Sequence, residues 1–160
     1  MAHRQTGFTL LELVIVVLLV AVLGAIVLPK FMAMQAEARI AKMKTAAGAM
    51  KSAAALAHAM LLTKGYPADF SGNPGPAGSA TDINVEGTDV AYVNGYPAAP
   101  VILALSGLAP PDFASAGGSP TSAVALPGNA QPDCQVVYHE ALPGLPPTYD
   151  SSALTPANCD

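Results

Sequence analysis

The sequence predicts an α+β protein, in which one very long N-terminal α-helix carries a small antiparallel β-sheet inside a loop-rich C-terminal region. Three observations predict it. Phe8 to Leu28 is an unbroken apolar segment in which Thr9 and Glu12 are the only polar members. From Pro29 to Lys64 the composition turns to good helix formers, with apolar residues spaced by three and four. Beyond Gly65 the chain carries fourteen of its fifteen prolines and only short β-prone runs.

Residues 1–7, MAHRQTG, form a short polar leader with one basic residue, Arg4. The apolar segment has no polar face and, at 21 residues, is long enough to cross a bilayer core, which takes about 20. It reads as a retained segment. A secretory signal would end at a small-residue cut site, whereas here the charged, helical PKFMAMQAEAR follows.

Residues 30–64 form an amphipathic continuation. Ile40, Met43, Ala47, Met50, Ala54, Ala57 and Leu61 make one apolar stripe, narrow and built largely from small side chains. Gly65, with Pro67 behind it, stops the helix. Unbroken from residue 8 to 64, such a helix is roughly 85 Å long at ~1.5 Å per residue, so its apolar half (8–29) must project from the domain. Gly24 and Pro29 are the positions for a kink or local melting.

Residues 65–160 read as a small head. Strand candidates are Ile83–Val85, Val90–Val93 (ended by Asn94-Gly95), Ser122–Leu126 and Cys134–Glu140. They predict a sheet of three or four strands with long loops. PAAPVILALSGLAPP, between prolines, fits either helical turns or a buried strand. There is no Trp and there are nine other aromatics, so the core is light. Cys134 and Cys159 read as one disulfide in an exported chain, with two free thiols as the alternative. Closing that loop would contribute about 3 kcal/mol in the chain-entropy model. Without the tie, the proline-rich stretch it encloses is expected to be disordered.

The net charge of −4 conceals a segregation: no Lys or Arg follows Lys64, while nine acids do. That surface repels phosphate backbones and argues against nucleic-acid binding. Pairing of the basic 30–64 segment with acidic heads of other copies is one reading of the segregation; a solvated helix face is the other. Enzyme signatures are missing. His3, His58 and His139 are far apart, no Cys/His spacing suits zinc, and there is no phosphate-binding Gly loop or nucleophile elbow. His139 and Glu140 are neighbours in a strand candidate and would face opposite ways. Asp82, Glu86 and Asp89 could ligate calcium, but a solvated acidic loop is the favoured reading. No cofactor is expected.

The leader ending in Gly7, followed by Phe8-Thr9-Leu10-Leu11-Glu12 and an uninterrupted apolar run, resembles a type IV prepilin of the type IVa kind. Pro29 and the amphipathic continuation are similar to the pilin long helix, and the Cys134/Cys159 pair resembles the disulfide-bounded loop of pilin heads. A narrower resemblance, to MSHA-type (mannose-sensitive haemagglutinin) pilins, rests on PKFMAMQAEAR, VNGYPAAP, DCQVVYHEA and the final NCD. The resemblance implies a major pilin that polymerises into a surface fibre for adhesion or twitching motility. A prepilin peptidase would cut between Gly7 and Phe8 and methylate the Phe8 amine. The precursor would wait in the inner membrane of a Gram-negative bacterium with its head in the periplasm. An assembly ATPase and a platform protein would then drive homopolymerisation. Glu12 would meet the Phe8 amine of a neighbouring subunit, since a carboxylate in hydrocarbon costs about 2.5 kcal/mol or more and usually has a partner. Two alternatives stand beside this reading: a type II secretion pseudopilin or minor pilin, and a single-pass membrane-anchored binding domain.

Overall fold

The computed structural model describes residues 8–75, 83–85, 87–116, 121–125 and 133–160. One helix, α1 (Leu10–Thr63), dominates it. Helical assignment continues through Gly24 and Pro29. At its end the Gly65 and Tyr66 N–H groups donate to the Leu62 and Leu61 carbonyls, with Gly65 at φ 83°. This is a Schellman stop, and it uses the glycine for the left-handed conformation that other residues resist.

The head grips only the second part of α1. Ala36 is the first buried residue, followed by Met43, Ala46, Met50, Ala54, Ala57 and Leu61. Five of these seven lie on the expected stripe; Ile40 and Ala47 sit at its edge, partly buried. Met43, Ala46, Met50 and Ala54 pack against α2 (Ala99–Leu105) and the strands that carry Val124, Val136 and Tyr138. Higher up, Ala57 and Leu61 pack with Ile83, Val90 and Tyr92. The alanines let the sheet and α2 approach the helix backbone closely, and the two methionines fill the irregular space left between them.

Four antiparallel strands form the main sheet in chain order: β5 (Ala114–Ala116), β6 (Thr121–Ala125), β7 (Gln135–His139) and β8 (Thr148–Asp150). Val136 and Tyr138 of β7 are buried, while residues 135, 137 and 139 are half-buried, as a period of two dictates. The strand candidates near 83–93 stay out of this sheet. They form two short hairpins instead: β1 (Asn84–Val85) with β2 (Thr88–Asp89), and β3 (Tyr92–Val93) with β4 (Tyr96–Pro97). Each ladder is only two residue pairs long. The second turn has Asn94 at φ 49° and Gly95 at φ 85°, the combination that a two-residue hairpin prefers. A side chain at Gly95 would also run into the Ala68 carbonyl.

The apolar run between prolines is helical: α2 begins with Ala99 and Pro100, a residue type suited to the first helical turn. Its N-cap, Ala98, has no side chain to offer. Glu140 supplies the missing acceptor from the end of β7, where its Oε1 takes the Ala99 N–H at 2.7 Å. Glu140 therefore lies just past the strand and does not alternate with His139 within it.

Cys134 and Cys159 form a disulfide, fully buried, with Cα atoms 4.8 Å apart. The Arg39 guanidinium donates to the Cys159 carbonyl at 2.9 Å, which fastens the C-terminus to α1. The enclosed loop supplies β8, paired to β7.

Two buried hydroxyls complete the core. Tyr92 donates to the Ala57 carbonyl of α1 at 3.0 Å, and Tyr138 to the Pro97 carbonyl at 2.7 Å. Burial raises the Tyr92 pKa from 10.0 to about 12. Burial and then the neighbouring Tyr96 do the same for Tyr149, also to about 12. Tyr138 is pushed up further, by burial first and then by Tyr149, Glu140 and Tyr96.

Two outcomes follow for stability. Replacing Cys134 and Cys159 together by Ala should lower the unfolding free energy by about 3 kcal/mol, read from denaturant melts of the full chain in detergent. For the tyrosines, the folded state holds the phenolic proton more tightly than the unfolded chain does. Stability should therefore be undiminished below the ordinary value of 10.0 and fall as pH climbs from there toward 12. Tyrosinate absorbance should rise together with the loss of near-ultraviolet circular dichroism, and early ionisation without unfolding would contradict it.

Candidate functional site

The feature that demands a function is the uncovered half of α1. From Phe8 to Leu28 its large apolar side chains are 45–80% exposed, with no sheltered face. Between Leu10 and Gln35 none of the described side chains is buried. The helix is long and apolar enough to cross a membrane by length and composition. Such a surface is far larger than the few hundred Å² of contiguous apolar patch that a soluble monomer exposes, and it needs lipid or protein around it.

The chemistry at its tip is set by Thr9. Thr9 is extended, with φ −78° and ψ 149°, and its hydroxyl accepts the Glu12 N–H at 3.3 Å. Its carbonyl takes the Leu13 N–H at 3.2 Å. Thr9 is thus the N-cap, and the helix starts two residues beyond the Gly7–Phe8 bond. The helix therefore starts at Leu10 and not at residue 8 as expected, and Thr9-x-x-Glu12 matches the capping-box pattern that marks this start in the sequence. Gly7 itself lies outside the described residues. Phe8 is 78% exposed and non-helical.

Glu12 occupies the first turn and is exposed. There it lies near the positive end of the helix dipole, a placement that stabilises an acid by about 0.3–1 kcal/mol. Among the described residues its carboxylate has no hydrogen-bond or ion-pair partner.

The charges on α1 divide differently from the sequence reading. Lys42 pairs within the chain, 3.5 Å from Asp112 and 4.8 Å from the centre of the Phe113 ring, and Arg39 holds Cys159. Lys44 and Lys51 stay exposed, without such a partner among the described residues. Of the calcium candidates, Asp82 and Glu86 lie outside the described residues, and Asp89 accepts from the Asn84 side chain at 2.7 Å. Among the described residues no group of three or more potential metal ligands converges. Asp150, on β8, is held below the usual carboxylate range, chiefly by the Ser152 backbone N–H at 2.8 Å.

Thr9→Ala should fray the first turn of α1 at a cost of about 1 kcal/mol. In detergent micelles, amide exchange at Leu10–Leu13 should quicken while the head amides stay unchanged. Equal protection in both proteins would mean that Thr9 does not set the helix start.

The N-terminus also carries the relationship to known proteins. Residues 2–28 match the family model described as the prokaryotic N-terminal methylation motif. No curated protein and no solved structure matches the chain. The motif covers the leader, the Gly7–Phe8 junction and the exposed helix together, and it supports a type IV pilin-like or pseudopilin-like prepilin, anchored in a membrane before assembly into a polymer.

Proposed function

We propose that this chain is the major structural subunit of a type IV pilus. The observation that carries the reading is the coincidence of two things on one helix. The methylation motif (2–28) takes in the whole unbroken exposed apolar run from Phe8 to Leu28, which the exposed Phe31 and Met34 extend beyond Pro29 and Lys30. A segment that must first sit in lipid and later sit among its own copies needs no polar face in either place.

In this reading a prepilin peptidase cuts between Gly7 and Phe8 and methylates the new amine of Phe8. Residues 1–7 stay on the cytoplasmic side of the inner membrane, in line with the positive-inside tendency. The head faces the periplasm, an oxidising place suited to the Cys134–Cys159 bond. An assembly ATPase and a platform protein extract the subunit into the fibre, whose core is built from the 8–29 helices. The cap geometry supports the role given to Glu12. Cleavage leaves the Phe8 ammonium just outside the helix, four residues from an acid that has no partner within the described chain. The amine of one subunit and the carboxylate of the next can then neutralise each other in a medium where each alone is costly. The pair fixes the axial step between subunits. Gly24 and Pro29 are the positions where α1 can locally unwind during extraction. Adhesion or twitching motility is the use of such a fibre, and the MSHA-type pilins are the narrower match.

Mass spectrometry of the mature chain should find an N-methylated Phe8; an intact Met1 would reject both pilin and pseudopilin in favour of a membrane-anchored domain. Electron microscopy of sheared surface material separates a long pilus from a short secretion piston. Glu12→Ala should leave membrane insertion and cleavage in place and reduce fibre yield at least tenfold, the loss of about 1.4 kcal/mol or more per subunit contact. Normal fibre yield from that variant would remove the register role.

A further inference from the structure

Two adjoining cavities open on the head beside α1, of about 270 and 330 Å³, with Tyr96 and Pro146 lining both. The smaller one is also bordered by His58, Asp69, Asn94 and Leu145. His58 stacks on Tyr96, with ring centres 4.3 Å apart and planes 7° from parallel. Its Nδ1 lies 2.7 Å from the Gly95 carbonyl oxygen, which can only accept, so Nδ1 carries the proton and Nε2 of the neutral ring is an acceptor. The Asn94 amide spends a donor on the Ala141 carbonyl at 2.7 Å, and its Oδ1 remains an acceptor. The Asp69 carboxylate is exposed, without a partner among the described residues. His58 and Asn94 are thus oriented by main-chain carbonyls, while the second Asn94 amide hydrogen and the Tyr96 hydroxyl remain able to donate. Among the described residues Asp69 is the one formally charged group lining the smaller cavity, next to apolar walls and on a head without Lys or Arg from residue 65 onward; Lys51 of α1 lines the neighbouring cavity.

We infer that this cavity is a binding site for an organic cation, an alkylammonium or guanidinium group. The charged end would be neutralised by Asp69 and hydrogen-bonded by Asn94 Oδ1 and His58 Nε2. Its alkyl stem would lie along Tyr96, Leu145 and Pro146, as the stems of Lys and Arg do on apolar surfaces. Donors outnumber acceptors on such a ligand, which suits a cavity that offers a carboxylate, the Asn94 Oδ1 and the His58 Nε2. Among the described residues no cation lines the smaller cavity to draw an anion; the nearest lining cation is Lys51, in the neighbouring cavity. A free polyamine and a Lys side chain of another protein chain share this chemistry. The inference does not depend on the pilus reading.

The test uses the full chain in detergent micelles and follows the backbone amides of Asn94, Gly95 and Tyr96 by NMR. N-acetyl-lysine methylamide and spermidine should each shift these amides saturably at a Kd on the order of 1 mM. The Nε-acetylated lysine probe, equal in stem but neutral, should not. Asp69→Asn should weaken binding about tenfold with the head spectrum otherwise retained, and Tyr96→Leu should weaken both probes. Tighter binding of spermidine assigns the site to free polyamines, and tighter binding of the lysine probe assigns it to a protein side chain. Equal response to the charged and acetylated probes, or no response to either cation, overturns the proposal. So does unchanged affinity in Asp69→Asn.

Discussion

The head is organised by one strip of α1, in which Ala36, Met43, Met50 and Ala57 recur every seven residues and are all buried. A helix turns every 3.6 residues, so a seven-residue recurrence keeps these side chains on nearly one line. The sheet and α2 close on that line, and the core is correspondingly thin. Two methionines provide most of its bulk from the helix side. Alanines elsewhere bring the strands near the helix backbone, close enough for the Tyr92 hydroxyl to reach the Ala57 carbonyl. A wider stripe would bury more surface but would hold the hairpins too far away for that contact.

A thin core must be reinforced where its strands are short. The reinforcement is polar and covalent more than aliphatic. Glu140 caps α2, Tyr138 pins Pro97, Arg39 holds Cys159, and the disulfide joins the start of β7 to the C-terminus. Each links segments far apart in sequence. Each buried hydroxyl is also satisfied, and among the described residues no buried side-chain nitrogen or oxygen is left without a partner. That matters because one unsatisfied group costs about 1–3 kcal/mol, a sizeable part of a small domain's stability.

The long helix, its stop at Gly65 and the inward stripe were legible because each rests on a local rule that nothing distant overrides. The pairing of strands was not. Ile83–Val85 and Val90–Val93 have strand composition, but Asn84–Val85 pairs with the nearby Thr88–Asp89 and Tyr92–Val93 with the nearby Tyr96–Pro97, and neither joins the main sheet. β8 is three residues long and follows two prolines, so no periodicity announces it; its place comes from β7 and from the disulfide that encloses it. Glu140 was misplaced in a strand because its role depends on α2, whose N-cap Ala98 cannot serve itself. At the N-terminus the helix was expected from residue 8, whereas Thr9 caps it and it begins at Leu10; the four-residue pattern Thr9-x-x-Glu12 is the local signal that marks this start.

That cap changes what the lone acid of the apolar helix requires. A carboxylate in the middle of such a helix would face hydrocarbon with nothing to offset its charge. At the third helical position it meets the positive end of the helix dipole, and its backbone N–H is held by Thr9. The dipole term is about 0.3–1 kcal/mol, smaller than the cost of an isolated carboxylate in lipid, and the Thr9 bond holds the backbone of the turn without touching the carboxylate. The dipole reduces the penalty without removing it. The remainder is the part that a cation from outside the helix can supply. In the proposed reading, an acid whose own helix offsets only part of its cost can wait in a membrane and still gains from a partner when one arrives.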